Sequence, residues 1–470
     1  MAALASVFTP DLLRRLDTNG PRYTSYPTAD RFHEGYGEAQ YRQALAERAE
    51  LARHQAAPRL ALYLHIPFCE SVCYYCACNK VVTRHHERAA EYLDALEREI
   101  HMHAQALGTK EHRQRVTQLH FGGGTPTYLS DDELTRLWRV LAESFDLAPE
   151  AECSIEVDPR TASPERLGFL KRLGFNRISF GVQDFDAEVQ QAVHRVQPYE
   201  QVRDLMTSAR ALGFESINVD LIYGLPKQRP DNFARTIDQV IGLRPDRIAL
   251  YGYAHLPERF KPQRRIIAAE LPDGAARLAM LGHAIEAFGG AGYDYIGMDH
   301  FALAHDELAR AKREGKLHRN FQGYTTQPDC DLLGLGVSAI GRVGATHAQN
   351  AKTLDAYYGA INAGRFATVR GLALDADDLL RREIVMGLMC RGRVDFTAIN
   401  SEFGIDMAEH FGPQLERLKS FEADGLVRVG EASIEVTEPG WYVVRALAMV
   451  FDRYVGSSGA PPRERFSRIV

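Results

Sequence analysis

Six short apolar runs set apart by longer helical patterns constrain this chain most. They are Ala61–Ile66, Gln118–Phe121, Ser154–Val157, Arg177–Phe180, Ile217–Ile222 and Arg247–Tyr251. Each is nearly continuous in apolar character, as strands covered on both faces should be. The gaps carry helix-start signals. Ser130 followed by Glu133 forms a capping box, Ser163-Pro164 puts an N-cap before a first-turn proline, and Pro230-Asp231 opens a third helix. Strand–helix alternation repeated six times predicts an α/β fold with a parallel sheet, either doubly wound or barrel-like.

The chain has 470 residues, enough for roughly two or three domains. Apolar residues make up 45% and charged residues 25%, so a sizeable packed core is expected. The formal charge of −6 argues against phosphate-backbone binding, so no nucleic-acid partner is expected. No run approaches the roughly 18 apolar residues of a membrane helix. The N-terminus lacks the basic-then-apolar order of a secretory signal, so no membrane association and a cytoplasmic location are expected.

Cys69, Cys73, Cys76 and Cys78 fall on one loop after the first run, whereas Cys153, Cys330 and Cys390 are scattered. An odd count in a chain without a signal is a poor disulfide framework and points to metal or redox chemistry. Structural zinc usually draws ligands from two separate knuckles. Closely spaced thiolates on one loop suit an iron–sulfur cluster better. The other strand ends also carry polar or glycine-rich groups: Gly122-Gly123-Gly124-Thr125 after the second run, Glu156 and Asp158 at the third, Gln183 beyond the fourth. Asp220 lies in the fifth, and Ala254 and His255 follow the sixth. In a β/α barrel these ends share one face. Glu156 and Asp220 sit in apolar contexts where a carboxylate without a partner is costly, so a ligand there would complete them.

The spacing C-x3-C-x2-C, read with the glycine run, resembles the radical S-adenosylmethionine (SAM) superfamily. That resemblance implies a [4Fe-4S] cluster held by Cys69, Cys73 and Cys76, with SAM on the iron that lacks a protein ligand and Cys78 left over. Further segments narrow it: Pro21-Arg22-Tyr23-Thr24-Ser25-Tyr26-Pro27, Cys76-Ala77-Cys78-Asn79-Lys80 and Ile155-Glu156-Val157-Asp158-Pro159-Arg160. So do Gly181-Val182-Gln183-Asp184-Phe185, Asp220-Leu221-Ile222-Tyr223-Gly224-Leu225-Pro226, Gly297-Met298-Asp299-His300-Phe301, Asn320-Phe321-Gln322-Gly323-Tyr324 and Arg465-Phe466-Ser467-Arg468. These are similar to the oxygen-independent coproporphyrinogen III oxidases, also called dehydrogenases, over essentially the whole chain.

The resemblance implies a partial TIM-type (β/α)6 barrel with an N-terminal arm and a mostly helical C-terminal domain. The expected boundaries are an arm over the barrel mouth at 1–53, the barrel at 54–300, a connecting segment completing the active site at 301–370 and a winged-helix-like domain at 371–470. Within the last, helices are predicted over Asp377–Met389 and Met407–Asp424, then strands Leu426–Val429 and Ser433–Val436, and a final helix after Pro439-Gly440. Two SAM molecules are implied. The first would contact Tyr63, Gly123, Glu156 and Ile340; the second Tyr75 (where the family usually has Phe), Gly124, Thr125, Gln183, Arg195, Asp220 and Ala254.

The implied activity converts two propionates of coproporphyrinogen III to vinyl groups, giving protoporphyrinogen IX. A 5′-deoxyadenosyl radical, formed with methionine when the reduced cluster gives SAM one electron, abstracts hydrogen to become 5′-deoxyadenosine; carbon dioxide then leaves as the substrate gives one electron to an acceptor. A flavodoxin-type electron donor is implied, and a monomer is expected. A tetracarboxylate substrate calls for basic groups, for which Arg22, Arg31, Lys80, His318 and Arg319 are candidates. Two other readings compete. A haem chaperone of the same branch would keep the cluster motif but typically lacks the Cys78 extension and the Pro21–Pro27 arm, both present here. A radical SAM nucleic-acid modifier would use the C-terminal domain for binding, against the acidic balance.

Overall fold

The structure, a computed structural model, describes residues 12, 15–16, 19–54, 58–108, 113–328 and 330–455. The segment around Arg465-Phe466 lies outside them, as do the first eleven residues. The described chain divides into two compact units. One comprises Phe32–Ala291 with Asp329–Ala373; the other takes the residues up to Arg31, Gly292–Pro328 and those from Leu374 onward.

The larger unit is built on the six predicted strands: β1 (Leu60–Ile66), β2 (Arg115–Gly123), β3 (Asp146–Val157), β4 (Arg177–Gln183), β5 (Ser216–Tyr223) and β6 (Arg247–Gly252). Each pairs in parallel with the next, in chain order. This is the partial TIM-type (β/α)6 barrel. Six of the seven residues of β1 are buried, as cover on both faces requires.

The intervening helices begin where local chemistry directs. The Ser130 hydroxyl accepts the Glu133 amide while the Glu133 carboxylate accepts the Ser130 amide, 3.2 and 2.8 Å apart. Ser163 caps Pro164–Leu173, and Pro230 opens Pro230–Leu243.

Beyond the predicted six, β7 (Asp331–Leu335) adds to the free side of β1 in parallel. Strands β8 (Ile340–Val343), β9 (Thr346–Asn350) and β10 (Thr368–Ala373) follow it as an antiparallel meander. The helix Glu38–Arg53 is fastened to this side. Buried Arg48 donates from Nε to Asp331 at 2.8 Å and from Nη1 to Gln114 at 2.6 Å.

A second buried anchor is Glu99, fully covered on the helix Glu87–Leu107. It accepts from the Gly336 amide at 2.6 Å, Asn350 Nδ2 at 2.7 Å and the Tyr357 hydroxyl at 2.7 Å. It thereby fixes the turn between β7 and β8. Burial pushes its carboxyl up to about 7, against the pull of these three donors. Glu99→Leu strands three buried donors, and unfolding in urea should show a loss of about 3 kcal/mol or more. An unchanged midpoint at an unchanged slope would show the donors satisfied some other way.

The smaller unit has its own apolar core, formed by Tyr23, Tyr26, Leu380, Ile384, Met389, Leu418, Ile434 and Phe451 among others. The segment Pro21–Pro27 is therefore part of a core, although its polar composition suggests a surface arm. Its tyrosines are buried because their hydroxyls find partners: Tyr23 donates to Asp452 at 2.9 Å, and Tyr26 accepts the Arg453 amide at 3.3 Å.

The helix Ala376–Met386 runs into a wide π turn, Gly387–Arg391. The helix predicted over Met407–Asp424 is broken into Met407–His410 and Gly412–Ala423. Pro413 explains the break, since proline lacks an amide proton and its ring collides with the carbonyl four residues back. Strands Val427–Val429 and Ser433–Val436 form as expected, and an unpredicted strand, Arg393–Asp395, completes their sheet. Among the described residues no helix is long and apolar enough to cross a membrane.

Candidate active site

The C-terminal ends of the barrel strands surround a cavity of about 580 Å³. Cys69, Cys73, Cys76 and Cys78 all line it, and no disulfide joins them. Their loop is tied at its base by a short parallel pairing of Phe68–Cys69 with Val81–Val82. Amides from Val81 to the Pro67 carbonyl (2.7 Å) and from Thr83 to the Cys69 carbonyl (3.0 Å) close it. Phe68, fully buried, packs edge-on to Tyr92 and stacks on Tyr128. The base is thus rigid while the thiols face the cavity.

The thiols differ in environment. Burial pushes Cys69 up to about 11, against the hydroxyl of Thr125, which donates to its sulfur at 3.5 Å. A hydrogen bond from the exposed Cys78 thiol, helped by the Lys80 ammonium, brings Cys76 down to about 6 despite burial. Lys80 also donates to the Cys76 and Cys78 carbonyls, at 3.2 and 3.4 Å.

The glycine run sits against this loop. The Gly124 amide donates to the Ile66 carbonyl and the Thr125 amide to the Phe68 carbonyl, both at 2.8 Å. Gly123 has φ +119°, a conformation that disfavours any side chain. Its amide donates to Glu156 at 3.1 Å, and His120 contacts the other carboxylate oxygen at 3.4 Å. Burial works to raise the Glu156 carboxyl, but His120 and the Gly123 amide outweigh it and hold Glu156 below its usual value.

Asp220 is poised differently. Burial and the neighbouring Glu156 push it up to about 6, although Asn218 Nδ2 (2.9 Å) and the Ser179 hydroxyl (3.2 Å) donate to it. Gln183 also lines the cavity, in the left-handed region at φ +69°. Buried Arg195 donates to the Gly181 carbonyl at 2.6 Å, to Asp158 at 3.1 Å and to Cys73 Sγ at 3.4 Å.

Of the residues singled out in the sequence, Tyr75, Gly123, Gly124, Thr125, Glu156, Gln183, Arg195 and Asp220 line the same cavity as the three cysteines. Tyr251 represents β6 there. Ala254, Tyr63 and Ile340 are not among the lining residues. Tyr63 instead stacks on His120 and meets His65 Nδ1 at 3.1 Å, and Ile340 opens β8.

The basic candidates are divided between the units. Lys80 belongs to the cysteine loop. In the smaller unit Arg22 is paired with Asp299, Arg31 donates to the Tyr454 carbonyl at 2.8 Å, and Arg319 lies over the Tyr324 ring. His318 starts the short strand His318–Asn320 there.

Sequence reasoning gave Arg160 no role, although it lines the cavity and contacts Cys73. The available signal was Asp158-Pro159-Arg160 directly after a strand end: an N-cap, a first-turn proline, then a long cation turned back toward its own cap.

Comparison with known proteins agrees with this picture. Residues 63–240 match the radical SAM superfamily and residues 374–443 the HemN C-terminal domain. The oxygen-independent coproporphyrinogen III oxidase of Pseudomonas aeruginosa is 49% identical over 462 residues, covering 98% of both chains. Its Escherichia coli counterpart is 47% identical over 459 residues, again covering 98% of both. The solved structure of the Escherichia coli coproporphyrinogen III oxidase, described as a radical SAM enzyme, superposes with a TM-score of 0.88 at 46% identity, covering 93% of this chain and all of that one. With likeness of this extent along nearly its whole length, the chain belongs to the oxygen-independent coproporphyrinogen III oxidase family of radical SAM enzymes.

Proposed function

We infer that the cavity at the strand ends is where coproporphyrinogen III is oxidised. The chain is an oxidoreductase of porphyrin and haem biosynthesis: without oxygen, it decarboxylates two propionate side chains to vinyl groups and yields protoporphyrinogen IX. It uses a [4Fe-4S] cluster and SAM. When bound, these supply the one-electron chemistry that removes a hydrogen atom from an unactivated carbon, a step beyond an ordinary side-chain base.

Cys69, Cys73 and Cys76 hold the cluster in this reading. Its support is that all three face one cavity from one loop, with hydrogen-bond donors already aimed at Cys69 and Cys73. Among the described residues no three His, Cys, Asp or Glu stand close enough together to hold a single metal ion, and ligands that each serve a different iron need no such grouping.

For the first SAM, Glu156 and the Gly123 backbone offer an acceptor and a close approach for the ammonium; for the second, Asp220 and Gln183 suit ribose and methionine polar groups. That second SAM, alongside Tyr75, Thr125 and Arg195, belongs to the same proposal, as do a flavodoxin-type donor, a monomeric state and a cytoplasmic location. The protein's task is to orient these groups and keep water from them.

The carrying observation is the convergence of the cysteine loop, the glycine turn and two carboxylates on one cavity. Anaerobic incubation of the reconstituted chain with SAM, dithionite and coproporphyrinogen III should yield carbon dioxide and, after oxidation, protoporphyrin. Stable haem binding with no carbon dioxide would favour the chaperone reading instead.

A further inference from the structure

Two guanidinium groups held by one carboxylate converge on one cysteine. Arg160 donates from Nε to Asp158 Oδ1 at 3.0 Å and from Nη2 to Oδ2 at 2.6 Å. The same guanidinium reaches the cysteine loop, through Nη1 to the Ser71 hydroxyl at 3.2 Å and through Nη2 to Cys73 Sγ at 3.6 Å. Arg195 meets the same Asp158 oxygen at 3.1 Å and Cys73 Sγ at 3.4 Å. Two cations and one carboxylate therefore serve a single sulfur, and all three side chains are largely removed from water.

Such an arrangement exceeds what holding a loop requires. One hydrogen bond to Ser71 would pin the chain, whereas a planar fork locked on a carboxylate delivers charge to a fixed point. Donors to a coordinating sulfur favour the more electron-rich state of an iron–sulfur cluster, and positive charge nearby acts in the same sense. The carboxylate moderates this by neutralising part of the positive charge.

We propose that Arg160 is a positioning residue that sets the reduction potential of the cluster through Cys73, with Asp158 as its opposing trim. The inference rests on the reading of Cys73 as a cluster ligand and adds to it. The step concerned is the arrival of one electron from a one-electron donor at the oxidised cluster; no bond is made or broken and no proton moves. Arg160 raises the potential, making the electron easier to deliver, and Asp158 lowers it.

The test is a redox titration of the reconstituted full chain with dithionite, followed by the electron paramagnetic resonance signal of the reduced cluster, with iron and sulfide per chain measured in parallel. R160Q is expected to keep its cluster while the reduced-to-oxidised ratio at fixed poise falls about tenfold, equivalent to about 59 mV for one electron. D158N is expected to shift in the opposite direction.

Loaded variants with wild-type potentials, or both moving in the same direction, would overturn the proposal, because a purely structural role has no reason to reverse sign. If R160Q assembles no cluster, D158N decides alone: a rise supports the proposal and no change or a fall refutes it. A wild-type chain that takes up no cluster would instead undo the assignment of the cysteines.

Discussion

Cys69→Ser is expected to eliminate the visible absorption of the reconstituted cluster and, with it, all decarboxylation, whereas Cys78→Ser keeps both. Cys69 is buried at the tied base of its loop, beneath the hydroxyl of Thr125, where a serine oxygen has neither the softness nor the acidity to replace thiolate on iron. Cys78 is exposed and acts on Cys76 as a hydrogen-bond donor. Serine can still donate. Cys78→Ala separates the two roles, since it removes the donor and so should raise the Cys76 thiol and slow reconstitution. Iron and sulfide content, read with the absorption spectrum, checks all three variants. Loss of the cluster from Cys78→Ser would mean that the ligand set has been misread.

Gly124→Ala is the second substitution with a large effect. A β-carbon at Gly124 would lie 2.6 Å from the Pro67 oxygen, 2.7 Å from the Pro67 carbonyl carbon and 2.8 Å from the Phe68 oxygen. All three are backbone atoms, so no side-chain rotation relieves the contact. The strand leading into Cys69 must shift, and its hydrogen bonds with the glycine run are lost with it. SAM affinity is expected to fall at least about tenfold, in line with the loss of groups that orient a metal site, and iron per chain should drop. Gly359→Ala is the matched control: it lies in the helix Leu354–Asn362 with nothing within 4 Å of the added carbon. There alanine should stabilise by up to about 1 kcal/mol through helix propensity. Equal behaviour of the two variants would refute the close-approach argument.

The barrel was legible because parallel strands buried on both faces leave unbroken apolar runs. Their helices were legible at Ser130 and Ser163 because capping is local chemistry. By contrast, β7–β10 went unread. Asp331, Gly334, Gly336 and Gly341 interrupt the apolar pattern there, and what makes these segments strands is pairing with β1 and with one another.

Tyr23 and Tyr26 misled for the opposite reason. Their segment reads as polar, and only the partners supplied by Asp452 and Arg453 let it join a core. At the site, the cysteines and glycines announced themselves by spacing, while Arg160 did not. Its significance arises from three-dimensional approach to Ser71 and Cys73, to which no sequence interval corresponds.

The clasp between Phe68–Cys69 and Val81–Val82 has a consequence for how iron is acquired. A slack chain that must gather three thiols around an incoming cluster loses conformational freedom at the moment of uptake, a cost that grows with the logarithm of the length being closed. Here a backbone pairing that uses no sulfur closes that loop. Less ordering is left for the metal to impose, so loss and reinsertion of iron are expected to be local events that leave the barrel standing.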